Sequence, residues 1–280
     1  MKKVFLLSAL IALVLLITAI AFVFIRSNAI INKKYNVALV DVIIPKDSVS
    51  LAAGKRIAWT RGCYGCHTQN LGGYVEVNWE GDTGADKLRI TNISKVIPQY
   101  SDKELFRLIK HGIKKDGTGL WGMTVGMFVN LSEKDICRLI AHLRTVPAIE
   151  NELPKTSFTF KGRMKIISGE VVPEVTTARK KAVNKIHYPD NPTEVQQGNY
   201  LALTSCTECH GYDLRGAYGN PPLLIAKAYK EEEFVKFLKT GKALGGRELK
   251  LMSDMCRKRF IHYSEEEIKA IHSFIMQLEK

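Results

Sequence analysis

Cys63-Tyr64-Gly65-Cys66-His67 and Cys206-Thr207-Glu208-Cys209-His210 repeat one spacing of two thiols and an imidazole. The pattern Cys-x-x-Cys-His attaches c-type haem. Two thiols add across the two vinyl groups of one porphyrin, and the adjoining histidine binds the iron from one face. Two intervening residues bring both sulfurs to one edge of the macrocycle. A single copy could be chance or half of a zinc site. Two copies, 143 residues apart and each followed by a similar downstream pattern, predict two covalently bound haem c groups.

The motifs use four of six cysteines, leaving Cys137 and Cys256. That is not the dense cysteine framework of a small secreted fold. The leftover pair could bridge in an oxidising compartment or stay as separate thiols. A length of 280 residues allows two ordinary domains, one per haem motif. The chain has 41 basic and 28 acidic residues, a formal charge of +13, which favours acidic partners or an anionic membrane surface. No nucleic-acid-binding motif accompanies that charge. Residues 4–25 contain no charged side chain, and at ~1.5 Å per residue they reach ~33 Å, enough to cross a bilayer. A cleaved signal peptide is the alternative, but the apolar run exceeds the usual length of its core. Lys2 and Lys3 hold the N-terminus in the cytoplasm, so either reading exports the remainder to the periplasm.

Local patterns surround each motif with helices. Residues 26–47 read as a stalk and 50–61 as a helix ending at the first motif. Residues 71–100, rich in Gly, Thr and Asn, read as loop. Ser101-Asp102-Lys103-Glu104 has the form of a capping box, opening a helix that Gly112 stops. A Gly/Met loop covers 117–130, and Ser132 opens a helix ended by Pro147. The second half repeats this order: helix 194–205, motif, a loop around 218–222, a helix from Glu231 to Gly241, a loop carrying Met252, and a helix capped at Ser264. The repeats are predicted at 48–147 and 190–280, joined by a linker over 148–189 that is extended at 156–160.

This order resembles the class I cytochrome c fold, over residues 48–147 and 190–280. Thr91-Asn92-Ile93, Leu120-Trp121-Gly122-Met123 with Leu131-Ser132, and Gly246-Arg247-Glu248-Leu249 before Met252-Ser253 are similar to membrane-bound multihaem cytochrome subunits of periplasmic alcohol and gluconate dehydrogenases. The resemblance implies an all-α chain of two tandem class I cytochrome c domains behind one N-terminal transmembrane helix. It also implies a methionine as second axial ligand, a soft donor that favours ferrous iron. The first repeat offers Met123 and Met127, and the family spacing selects Met123. In the second, Met252 fits the family's Met-Ser position, with Met255 three residues on. The implied metal ligands are therefore His67 and Met123 for one iron, and His210 and Met252 for the other. His142 falls where Phe274 sits in the second repeat, an aromatic place against the first helix at Gly54 and Gly198. His111, His187, His262 and His272 have no such assignment.

Arg247, Lys250, Arg257, Lys258 and Arg259 gather around Met252 and suggest a basic docking face for an acidic redox donor or acceptor. The leading expectation is a single-pass inner-membrane protein relaying electrons between a dehydrogenase and a respiratory acceptor, without chemistry on a substrate of its own. The competing expectations are a dihaem redox enzyme, of peroxidase or thiosulfate-oxidising type, and a non-catalytic sensor module.

Overall fold

A computed structural model describes residues 2–77, 85–181 and 188–279. The chain begins with α1, Lys2–Ile31. Its apolar side chains are almost all exposed, and it is long and apolar enough to cross a membrane. The helix runs past the predicted boundary at Ile25 because Arg26, Ser27 and Asn28 keep helical geometry. After Ile31 the chain is extended and tied to the first repeat, with the Tyr35 amide donating to Gly117 O at 2.9 Å and Lys34 bridging Thr118.

The first repeat comprises α2 (Ser48–Thr60), α3 (Cys63–Cys66), β1 (Tyr74–Val77), β2 (Ala85–Ile90), α4 (Ile93–Val96), α5 (Asp102–His111), α6 (Val125–Phe128) and α7 (Glu133–Leu143). Each long helix starts where a short polar side chain can accept from its first turn. Asp47 caps α2, Ser101 and Glu104 form a full capping box on α5, and Ser132 accepts from Asp135 N. Gly112, in the left-handed region, ends α5.

The span 71–100 departs from the expected loop. Strands β1 and β2 pair antiparallel, Tyr74 opposite Ile90, and β3 (Ser157–Phe158) adds to β2 from the linker. The linker also forms α8 (Phe160–Ser168) and α9 (Glu174–Lys181), neither of them anticipated. The second repeat has α10 (Glu194–Leu203), α11 (Thr207–His210), α12 (Glu231–Thr240), α13 (Leu251–Lys258) and α14 (Glu265–Gln277).

Within each repeat the first and last helices cross at a glycine. A Cβ on Gly54 would lie 1.9 Å from Arg138 O, and one on Gly198 would lie 1.8 Å from Ala270 O. His142 and Phe274 stand at the matching crossings, each Cβ 2.9 Å from that same point. The repeats then meet through equivalent faces. Arg56 and Tyr200 each follow the crossing glycine by two residues, and Asp135 and Glu267 each follow a serine cap by three. Arg56 Nη1 contacts Glu267 Oε2 at 2.5 Å, while Tyr200 OH donates to Asp135 Oδ2 at 2.6 Å. The two halves thus associate about a pseudo-two-fold axis, as in an isologous dimer. A cavity of about 300 Å³ lies between them, lined by Arg56, Arg61, Tyr188, Tyr200 and Tyr263 among others.

Candidate haem sites

Both attachment motifs are wound into a single helical turn, which puts residues three apart on one face. In the first, Cys66 N donates to Gly62 O at 2.9 Å and His67 N to Cys63 O at 2.7 Å. Gly62 precedes the turn with φ 82°, a conformation suited to glycine. In the second, His210 N donates to Cys206 O at 3.0 Å. Cysteines and histidine therefore occupy one compact corner in each repeat.

The histidine orientations are the decisive geometry. His67 Nδ1 lies 2.8 Å from Thr91 O, and His210 Nδ1 lies 2.8 Å from Pro221 O. A carbonyl can only accept, so each ring carries its proton on Nδ1 and leaves the Nε2 lone pair available to a metal. Burial also lowers the His67 pKa, favouring the neutral ligand form. Desolvation pushes the Cys63 thiol up to about 12 and raises Cys206 in the same direction.

Met123, Met252 and Met255 pack half-buried against the core, whereas Met127 is 1 % exposed and fills it. The backbone offers two registers for the second repeat. Counted back from the last helix, Met255 stands eight residues before Tyr263, as Met123 stands before Leu131. Counted forward, the bridges Ile113–Gly119 and Lys242–Glu248 match, and Met123 and Met252 each follow by four. The extra length lies in α13, which replaces the shorter α6.

The surroundings suit an anionic macrocycle. Trp121 Nε1 and Arg107 Nε are buried donors with no hydrogen-bond partner among the described residues. Such donors normally find one, and a haem propionate is of the right charge. Imidazole and thioether donors match iron of intermediate softness. Among the described residues, no group of three or more His, Cys, Asp or Glu side chains could hold a bare metal ion, so the motifs do not combine into a zinc centre.

The family model for cytochrome c matches residues 51–147 and 195–279. The chain belongs to the cytochrome c family. Members carry covalently bound haem c, which the donor set above fits. The chain is 23% identical over 256 residues to the fructose dehydrogenase cytochrome subunit of Gluconobacter japonicus, covering 81% of this chain and 52% of that one. It is 23% identical over 271 residues to the alcohol dehydrogenase (quinone) cytochrome c subunit of Gluconobacter oxydans, covering 83% and 55%. This cytochrome therefore spans about half the length of those relatives.

The two attachment corners of the cytochrome face one another across a buried cation that sequence reasoning misplaced. Arg259 was expected on an exposed docking face, yet it is 5 % exposed. Its Nη1 pairs with Glu208 Oε2, inside the second motif, at 2.7 Å. Its Nη2 donates to Thr60 O, just before the first motif, at 3.2 Å. A Cβ on Gly62 would sit 3.1 Å from its Cζ. This one guanidinium lowers the pKa of Cys63, Cys66, Cys206 and Cys209, opposing the larger effect of burial at each. Arg61 is a second buried cation here, donating to Tyr263 OH at 2.5 Å. No local pattern could reveal Arg259, because its acceptor lies 199 residues away.

The rest of the basic cluster is partly neutralised. Arg257 pairs with Glu248 and Asp254, each at 2.9 Å, while Arg247 and Lys250 are exposed. Cys137 and Cys256 are both unbridged. The other histidines have structural partners: His142 Nε2 meets Tyr64 OH at 2.6 Å, His272 Nε2 donates to Tyr229 O at 2.9 Å, and His262 stacks on Trp59 at 4.6 Å. His111 ends α5, and His187 lies outside the described residues.

Proposed function

We propose that the chain is a membrane-anchored dihaem electron relay, with haem domains over 48–147 and 190–280 and α1 crossing the inner membrane. The observation that carries this is the doubled imidazole geometry, each motif histidine bonded through Nδ1 to a backbone carbonyl, which leaves the Nε2 lone pair available to a metal. Cys63 and Cys66 would hold one haem covalently, with His67 and Met123 as axial donors. Cys206 and Cys209 would hold the other, with His210 and Met252; the match of the upstream bridges favours Met252 over Met255.

Haem c supplies one-electron chemistry between ferrous and ferric iron. The protein's part is to fix the ligands, exclude water and set the local field. Thr91 and Pro221 carbonyls hold the imidazoles, the thioethers favour the reduced metal, and Arg259 places positive charge between both attachment turns. With both axial positions taken by these side chains, the iron would exchange electrons rather than bind a substrate. The dehydrogenase subunits it resembles suggest a relay from a periplasmic or membrane dehydrogenase to a respiratory acceptor. Exposed Arg247 and Lys250 beside Met252 suit an acidic partner.

Expression with a working cytochrome c maturation system should give a haem-staining band and a mass two haems above the polypeptide. A mass one haem above it, or the bare 31.4 kDa chain, would refute the dihaem assignment.

A further inference from the structure

We propose that α8 lies in the lipid boundary beside α1, so that the chain meets the membrane through two helices; this rests on reading α1 as the bilayer span. Helix α8 is a complete local unit, capped by Thr159 at its start and by Gly169 in the left-handed region at its end. It packs lengthwise on α1. Val23 and Ser27 are buried, although nearly every other α1 side chain is exposed.

Named contacts fix the level of this packing. Arg163 Nη1 donates to Ser27 Oγ at 2.7 Å and to Asn28 Oδ1 at 2.9 Å, and its guanidinium lies 4.4 Å from the Phe24 ring centroid. Further along, Met164 and Ile167 join Leu15, Thr18, Ala19, Phe22 and Val23 around an apolar recess of about 450 Å³. At ~1.5 Å per residue, those α1 positions lie about 5–16 Å below Arg26, the first charge after the apolar run. One leaflet of hydrocarbon is about 15 Å deep. A span at 4–25 therefore carries Met164 and Ile167 into the outer leaflet.

The composition of α8 suits that place. Phe160 and Met164, one turn apart, are 49% and 46% exposed, and Met164 continues the apolar surface of α1. Lys161, Arg163 and Lys165 are its charged residues, with no acid in the helix. Apolar side chains on one face with basic ones beside them define a helix lying at the headgroup and acyl boundary. Lys161 is exposed, and its stem is long enough to bring the ammonium to an anionic headgroup, while Lys165 pairs with Glu170 at 2.9 Å and Arg163 with the end of α1. A soluble partner could not reach this face without entering the bilayer, so the occupant is lipid.

The test uses the full-length holoprotein in nanodiscs of phosphatidylcholine and phosphatidylglycerol. Met164→benzoylphenylalanine, Phe160→benzoylphenylalanine, Leu13→benzoylphenylalanine and Tyr218→benzoylphenylalanine are irradiated separately, and lipid adducts are measured by mass spectrometry. Leu13 reports the span, and Tyr218, 74% exposed in the second repeat, reports background. The expected yield at Met164 is within about twofold of Leu13 and ~tenfold above Tyr218, with Phe160, at the headgroup end of α8, between the two. Adducts at Leu13 with both α8 positions at background would overturn the placement of α8 alone. Background at Leu13 would overturn the bilayer span, and this proposal with it.

Discussion

Arg259 concentrates the consequences at the scale of single residues. On the proposed dihaem reading, removing the Arg259 guanidinium while its partner Glu208 stays makes the field at both attachment turns more negative, which favours ferric iron, one charge more positive than ferrous. Arg259→Met should lower both midpoints by tens of millivolts, because it removes the cation and leaves Glu208 unpaired. Arg257→Met, at an exposed and screened position, should leave both unchanged. A spectroelectrochemical titration separates these outcomes. Met123→Ala and Met252→Ala should each open one iron to carbon monoxide and lower one of two midpoints; an undisturbed spectrum in Met252→Ala would move the ligand to Met255. The two Cys-x-x-Cys-His motifs stand out in the sequence by spacing alone. The acceptors that orient the imidazoles lie 24 and 11 residues downstream on backbone carbonyls, where side-chain identity leaves no signature.

At the scale of elements, the glycine crossings admit no added carbon. Gly54→Ala and Gly198→Ala each direct a methyl onto a backbone oxygen less than 2 Å away, so the helices must separate. Each should cost about 3 kcal/mol in denaturant unfolding of the holoprotein. Helix α9 carries a different strain. Burial pushes its first carboxyl, Glu174, up to about 8. A folded pKa above the unfolded value of ~4.3 means that stability from this group falls as pH rises from about 4 to about 8. Glu174→Gln should therefore raise the thermal midpoint at pH 8 and scarcely change it at pH 4. Helices α5, α7 and α14 were legible because each carries its own serine start and apolar periodicity, with Gly112 stopping the first. The sheet was not, since β3 pairs with β2 from about 70 residues away and neither strand alternates long enough to announce itself. Helix α1 continues beyond the apolar run to Ile31, and its polar last turns meet Arg163, a residue with no local tie to them.

At the scale of the molecule, the pseudo-two-fold contact joins chemically unequal pairs, an ion pair on one side and a tyrosine–carboxylate hydrogen bond on the other. Tyr200→Phe leaves Asp135 Oδ2 without its donor, with Arg138 still holding Oδ1, and should destabilise the holoprotein by about 1–3 kcal/mol, measured by denaturant titration. Exchange with an acidic redox partner should slow as ionic strength rises, through the association rate, since exposed Arg247 and Lys250 act across a Debye length of ~8–10 Å. A rate that ignores salt would assign those residues to ordinary solvation.

The pinned segment after α1 changes what kind of traveller this protein is. Were residues 32–47 a loose leash, the two-repeat body would sweep a hemisphere above its foothold, and linker length would govern its encounters. With Tyr35 fastened to Gly117 and Lys34 to Thr118, leash and body turn as one piece. With α1 as the proposed bilayer span, a membrane-bound collaborator would meet it as one disc meets another on a plane, by sideways drift and rotation about the normal. Crowding and membrane viscosity, rather than chain slack, would set how often they touch.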